Sequence, residues 1–257
     1  MDKRVEHIFL FFLISFLLIG CKKEIEEPCT YVVSVGISKY KSINNLRLAE
    51  RDAESVAQLF DKRSAKTILL RGAESSKTNI LQTLKNHFIV AKPQDLVVLF
   101  FSGHGYQGGF CPYDMTQNAE SGLSYEDIRS IFKDCKAKNK IIIADACYSG
   151  LFRGETGENH SASLRAQSED SSSNVVVFLS SRSNETSIES PFMAYGLFTN
   201  SLIRGLRGGA DSNRDRIISA KEIFDFVSIS VKEKSQDKQH PVMWGKFNDD
   251  MILMDWR

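Results

Sequence analysis

Two side chains able to do chemistry stand at the ends of apolar runs. His104 closes Val97-Val98-Leu99-Phe100-Phe101-Ser102-Gly103-His104-Gly105, and Cys147 closes Ile141-Ile142-Ile143-Ala144-Asp145-Ala146-Cys147. A thiol beside an imidazole can carry out covalent acyl transfer, because the ring takes the thiol proton and supplies thiolate near neutral pH. Either residue alone says little, since a lone buried cysteine is usually inert and a lone histidine is commonly structural. Each run, however, reads as a fully buried strand that stops at its reactive residue. In open parallel sheets ligands bind beyond the carboxyl ends of strands, so two neighbouring strand ends would bring the pair to one substrate.

The elements that must position them alternate from Tyr31 onward. Tyr31–Ile37 is β-rich, and apolar residues recur at helical spacing from Leu46 to Phe60. Thr67–Leu70 reads as a short strand, and Ile80, Leu84 and Phe88 mark a second helix. After the His104 strand, Gly108-Gly109 and Pro112 signal a loop or hairpin, and Ser124 with Asp127 looks like a helix-starting box. Beyond Cys147, residues 149–174 read as an exposed loop. Val175–Leu179 then predicts a strand, Leu197–Leu206 and Ile217–Val231 helices, and Val242–Trp244 and Met251–Leu253 late strands. The β-α-β-α order predicts one α/β domain, a mainly parallel sheet with helices on both faces.

Ser102-Gly103-His104-Gly105 and Asp145-Ala146-Cys147-Tyr148-Ser149-Gly150 together resemble the catalytic segments of the caspase superfamily, specifically bacterial metacaspase-like (orthocaspase) proteins. The histidine comes first and the cysteine 43 positions later. Tyr31–Phe60, Ser180–Glu185, Gly196–Thr199, Gly205–Asp211 and His240–Gly245 are similar to further ordered segments of that family. The resemblance implies a caspase-like three-layer sandwich over residues 30–257 and a cysteine endopeptidase that acts through a thioester. In it Cys147 would be the nucleophile and His104 the acid–base, with an oxyanion hole at the amides of Gly105 and Cys147. Tyr148 stands where metacaspases often carry a second histidine.

The same resemblance matches Asp52, Ser102 and Asp145 to the pocket for the residue before the scissile bond (P1). Asp145 lies two positions before Cys147 on one strand, and so shares its face. Acidic walls want a cation, and arginine pairs with carboxylate in a bidentate fashion, so cleavage after Arg, then Lys, is expected. Plainer readings stand beside this one: Asp145 as a turn cap and Asp52 on a solvated helix face. Arg182 would instead welcome an acidic side chain. Arg153 and Arg165, in the loop at 149–174, are places where a basic-specific enzyme would cut itself. The alternative function is a catalytically silent fold acting as a binding or scaffold module.

The charges almost cancel, 33 Lys+Arg against 32 Asp+Glu, which gives no reason to expect a nucleic-acid partner. The apolar run Ile8–Ile19 is too short for a bilayer span of about 20 residues and suits a signal peptide. It ends in Leu18-Ile19-Gly20-Cys21, which resembles the lipobox of bacterial lipoproteins. That resemblance implies that residues 1–20 are removed and Cys21 is acylated. Residues 21–29 would be a tether, and the protein would face the periplasm or cell surface. Cys29, Cys111 and Cys135 remain, and at most one pair of these can bridge.

No organic cofactor is expected. Asp211, Asn213, Asp215 and Glu222 fit positions 1, 3, 5 and 12 of an EF-hand calcium loop, but the sharp-turn glycine at position 6 is Arg216. A competing reading needs no metal, because Ser219 and Glu222 make a capping box for the next helix.

Overall fold

A computed structural model describes residues 27–106, 108–148, 175–181, 195–245 and 251–257. The signal peptide expected at 1–20, Cys21, the loop expected at 149–174 with Arg153 and Arg165, and Arg182 lie outside the described residues.

The sheet is built from the apolar runs. β1 (Thr30–Gly36), β2 (Lys66–Arg71), β3 (Leu96–Tyr106), β6 (Asn139–Tyr148) and β7 (Val175–Leu179) pair in parallel in the order β2-β1-β3-β6-β7. A final antiparallel strand, β9 (Val242–Trp244), pairs with β7. β3 is the central strand, and all eleven of its residues are buried. That is why it reads as a continuous apolar run rather than an alternation. Beyond His104 it turns into a small antiparallel extension, β4 (Gly109–Phe110) and β5 (Leu123–Ser124).

Helices cover both faces. On one face α2 (Lys77–Phe88) and α3 (Tyr125–Asp134) bury Ile80, Leu84, Phe88, Ile128 and Phe132 against Val33, Leu99, Phe101 and Ile142. On the other, α1 (Ala49–Asp61), α4 (Leu197–Arg204) and α5 (Ala220–Lys234) bury Val56, Phe60, Phe198, Leu202, Ile223 and Val227 against Val98, Phe100, Ile143 and Phe178. The result is the expected α/β three-layer sandwich.

Two expectations need correction. The helix expected from Ile217 begins only at Ala220, because β8 (Ile217–Ser219) pairs antiparallel with β10 (Ile252–Asp255) in a separate two-stranded ribbon. That pairing also removes the last strand from the main sheet. Leu46 and Leu48 precede α1, with Leu48 as its N-cap residue.

Candidate active site

The register of the two central strands sets the geometry. β3 and β6 pair residue for residue, so Ser102 lies beside Asp145, His104 beside Cys147 and Gly105 beside Tyr148. The backbones that carry the imidazole and the thiol are therefore adjacent at the carboxyl edge of the sheet, one interstrand spacing of about 4.8 Å apart. Gly105 also pairs with Phe110 of β4, which ties this edge to the antiparallel extension.

His104 is nearly buried, and the loop between β1 and α1 grips it. Its ring Nε2 lies 2.9 Å from the carbonyl oxygen of Asn44, which can only accept. The proton of the neutral ring is thus held on Nε2, and Nδ1 is left as the basic nitrogen. The backbone amide of His104 donates to the Tyr40 hydroxyl at 2.7 Å, and the two rings pack with centroids 5.1 Å apart. That hydroxyl needs Gly103, because a Cβ there would lie 2.6 Å from it.

A second cluster lies one turn of strand earlier. Asp52 is 2% exposed, so it is not on a solvated helix face. It accepts from the Ser102 hydroxyl at 3.1 Å and from the Gly196 amide at 3.1 Å. Asp145, also buried, accepts from the Thr199 amide at 3.2 Å and the Thr199 hydroxyl at 2.7 Å. Asp145 is a cap, but of a distant helix. Gly196, the N-cap residue of α4, has no side chain of its own, and a carboxylate from β6 bonds the third amide of that helix in its place. The positive end of the helix favours both anions. The two carboxylates converge on the Cα of Gly196, where a Cβ would lie 2.5 Å from Asp145 Oδ2 and 3.2 Å from Asp52 Oδ2.

The sequence-predicted residues Asp52, Ser102, His104, Gly105, Asp145 and Cys147 thus gather at one sheet edge. Tyr40, Asn44, Gly196 and Thr199 join them; their segments carry the family resemblance, but none of the four was assigned a role from sequence. A physical signal for the first two is their place in the loop leaving a parallel strand, where such sheets bind ligands. For the last two it is a small residue opening a helix.

The segment from Asp211 to Glu222 follows the opposite end of α4. Asp211 accepts from the amides of Asp215 and Arg216, and Asp215 accepts from the amide of Ile217. Glu222 accepts from the amide and hydroxyl of both Ser212 and Ser219, which completes a capping box on α5. Burial works against ionisation of Glu222, but these hydrogen bonds outweigh it and hold the carboxyl below its ordinary range. Arg216 sits at φ +66°, the left-handed conformation its position in the motif reserves for glycine. Among the described residues, no group of three or more His, Cys, Asp or Glu side chains is arranged to hold a metal ion. The three carboxylates of the motif accept from amides and hydroxyls of the same segment.

The remaining cysteines Cys29, Cys111 and Cys135 are free thiols, the last two buried. No described helix is long and apolar enough to cross a membrane.

Comparison with known proteins adds a family. The family model described as caspase domain matches residues 30–252. The chain is similar in structure to the crystal structure of protein GSU0716 from Geobacter sulfurreducens, with a TM-score of 0.64 and 13% identity, over 89% of this chain and 98% of that one. At that identity the likeness concerns the fold alone. No curated protein matches the chain.

Proposed function

The chain belongs to the caspase domain family, and from that premise we propose a cysteine endopeptidase that cleaves after basic residues, Arg before Lys. The observation that carries this reading is the register of His104 against Cys147 at the carboxyl edge of the sheet.

In the proposed reaction, Nδ1 of His104 takes the thiol proton of Cys147, and the thiolate attacks the scissile carbonyl carbon. The amides of Gly105 and Cys147 receive the developing oxyanion. The imidazolium then gives its proton to the leaving amine as the C–N bond breaks, leaving a thioester that water hydrolyses. The Asn44 carbonyl supports this cycle, because it accepts from Nε2–H in both the neutral and the charged ring. The basic preference rests on Asp52 and Asp145, which are buried side by side near the same edge. An arginine side chain entering there meets two carboxylates, and its planar donors match them better than an ammonium does.

The proposal extends to location and control. Cys21 carries the lipid that anchors the protein to a bacterial membrane, facing the periplasm or cell surface, and substrates are peptides or proteins with a basic P1 residue. The segment 149–174 is cut by the enzyme itself at Arg153 or Arg165. The chemistry needs no organic cofactor or metal.

Fluorogenic peptides ending in Arg, Lys or Asp test the reading, with Cys147→Ala and His104→Ala in parallel. Turnover is expected with Arg above Lys and none with Asp. It should be lost in Cys147→Ala and reduced about 10²- to 10⁴-fold in His104→Ala. Turnover of Asp peptides alone sinks the specificity, and no turnover of any peptide leaves a binding module.

A further inference from the structure

The end of the sheet opposite the active site is formed by the turns that lead into β1, β2, β3 and β6. Hydrogen bonds sew these turns into one surface. The Cys29 amide donates to Asp95 Oδ1 at 2.9 Å, and the Lys92 amide donates to Asp95 Oδ2 at 2.7 Å. The Lys138 amide donates to the Pro93 carbonyl at 3.1 Å, and the Lys66 ammonium donates to the Tyr31 hydroxyl at 2.9 Å. This surface carries the adjacent pair Ile89 and Val90, 47% and 58% exposed. Lys62, Lys66, Lys92, Lys136 and Lys138 are exposed around it, against the exposed acids Glu27, Asp61 and Asp134. Since the whole chain is almost charge-balanced, this local basic excess is a matter of placement rather than composition.

We infer that this end of the domain is a membrane-facing surface that rests on anionic phospholipid headgroups, leaving the catalytic edge pointing away from the bilayer. The inference builds on the proposed acylation of Cys21. Eight residue steps separate Cys21 from Cys29, a reach of at most about 29 Å when fully extended. The strand from Leu96 to His104 also rises eight steps, roughly 27 Å. To lay the catalytic edge on lipid, the tether would have to run extended along almost the full height of the sheet. Laying the basic end there needs almost none of that length. A lipid chain combined with a basic patch and an inserted apolar pair is a sufficient set of signals for a stable, oriented membrane contact. The active site would then stand roughly 27 Å above the headgroups, within reach of soluble or cell-surface proteins rather than of lipid-embedded ones.

The test uses the lipidated full chain reconstituted in vesicles of phosphatidylcholine, alone or mixed with phosphatidylglycerol. Hydrogen exchange is read by mass spectrometry, together with the mass of the Cys21 peptide. With phosphatidylglycerol, amides in 89–95 and 135–138 should exchange about tenfold more slowly than with phosphatidylcholine alone, while 102–111 stays unchanged. The double substitution Lys92→Glu, Lys138→Glu should abolish that difference without moving the melting temperature. Equal exchange in both vesicles with Cys21 acylated overturns the orientation and leaves the anchor standing. Protection at 102–111, or the same protection in lipid-free detergent, also overturns it and points to a protein contact. An unmodified Cys21 overturns both.

Discussion

The carboxylates of Asp52 and Asp145 converge beside the Cα of Gly196, so in the proposed pocket the size of this residue decides what can be held. A methyl group there would lie 2.5 Å from Asp145 Oδ2 and 3.2 Å from Asp52 Oδ2, and neither buried acid can yield without losing its bonds to Thr199, Ser102 or the Gly196 amide. Gly196→Ala should therefore lower kcat/KM for Arg peptides about tenfold or more, mainly through KM. The rate of Cys147 alkylation should not change. A uniform loss of both would mean general misfolding instead. Cys111 gives the contrasting case of a thiol removed from chemistry. Burial pushes it up to about 12, and the same cause pushes the Tyr106 hydroxyl up to about 12. In native protein at pH 8 Cys111 should resist iodoacetamide that modifies it readily in denaturant. The sign for stability follows: the unfolded chain loses these protons first, so both groups stabilise fully below about pH 8.5 and progressively less as pH rises towards 12. Urea midpoints should fall over that window, and Cys111→Ala should flatten the fall. A midpoint that rises there contradicts the burial argument.

At the scale of elements, α5 begins where Ser219 and Glu222 exchange hydrogen bonds, and Ser212 of the upstream motif adds two more to Glu222. Ser219→Ala should cost about 1 kcal/mol, a drop of roughly 2–4 °C in Tm. A calcium chelator should leave both Tm and turnover unchanged. A chelator-dependent Tm that Asp211→Ala removes would reverse this reading. The same region shows what sequence can and cannot carry. β3 and β6 are legible because strands buried on both faces leave an apolar run, and the reactive residues stand at their ends. Ser124 and Asp127 announce α3 for a similarly local reason: their capping bonds span three residues. Ile217 and Ile218, in contrast, continue the helical spacing of Ile223 and Val227. Only pairing with Ile252–Asp255, far along the chain, makes them a strand. Asn44 acts through a carbonyl, which every residue has, and Thr199 acts through a helix amide and a hydroxyl on a carboxylate from another element. Such roles have no residue-type signature to read.

At the scale of the molecule, the proposed cut at 149–174 falls between β6 and β7, which pair in parallel over Lys140–Ala144 and Val175–Leu179. Each product would bring half of the same interior. On the α1 face, Val56, Phe60 and Phe100 from before the cut pack in one cluster with Phe178, Phe198, Leu202 and Ile223 from after it. The site is divided in the same way, with Asp52 and Asp145 on one piece bonded to Gly196 and Thr199 on the other. Burying side chains of this size contributes about 1.5–3 kcal/mol each, far more in sum than the entropy gained by opening one loop. A chain nicked at Arg153 or Arg165 should therefore elute as a single particle of unchanged size under native conditions and separate only in denaturant. Wild-type protein should acquire the nick on incubation, whereas Cys147→Ala should stay intact until a trace of trypsin is added. If the two pieces part in native buffer, the continuity of the sheet across the cut does not hold the domain together. If Cys147→Ala nicks at the wild-type rate, the cut is not the work of this site.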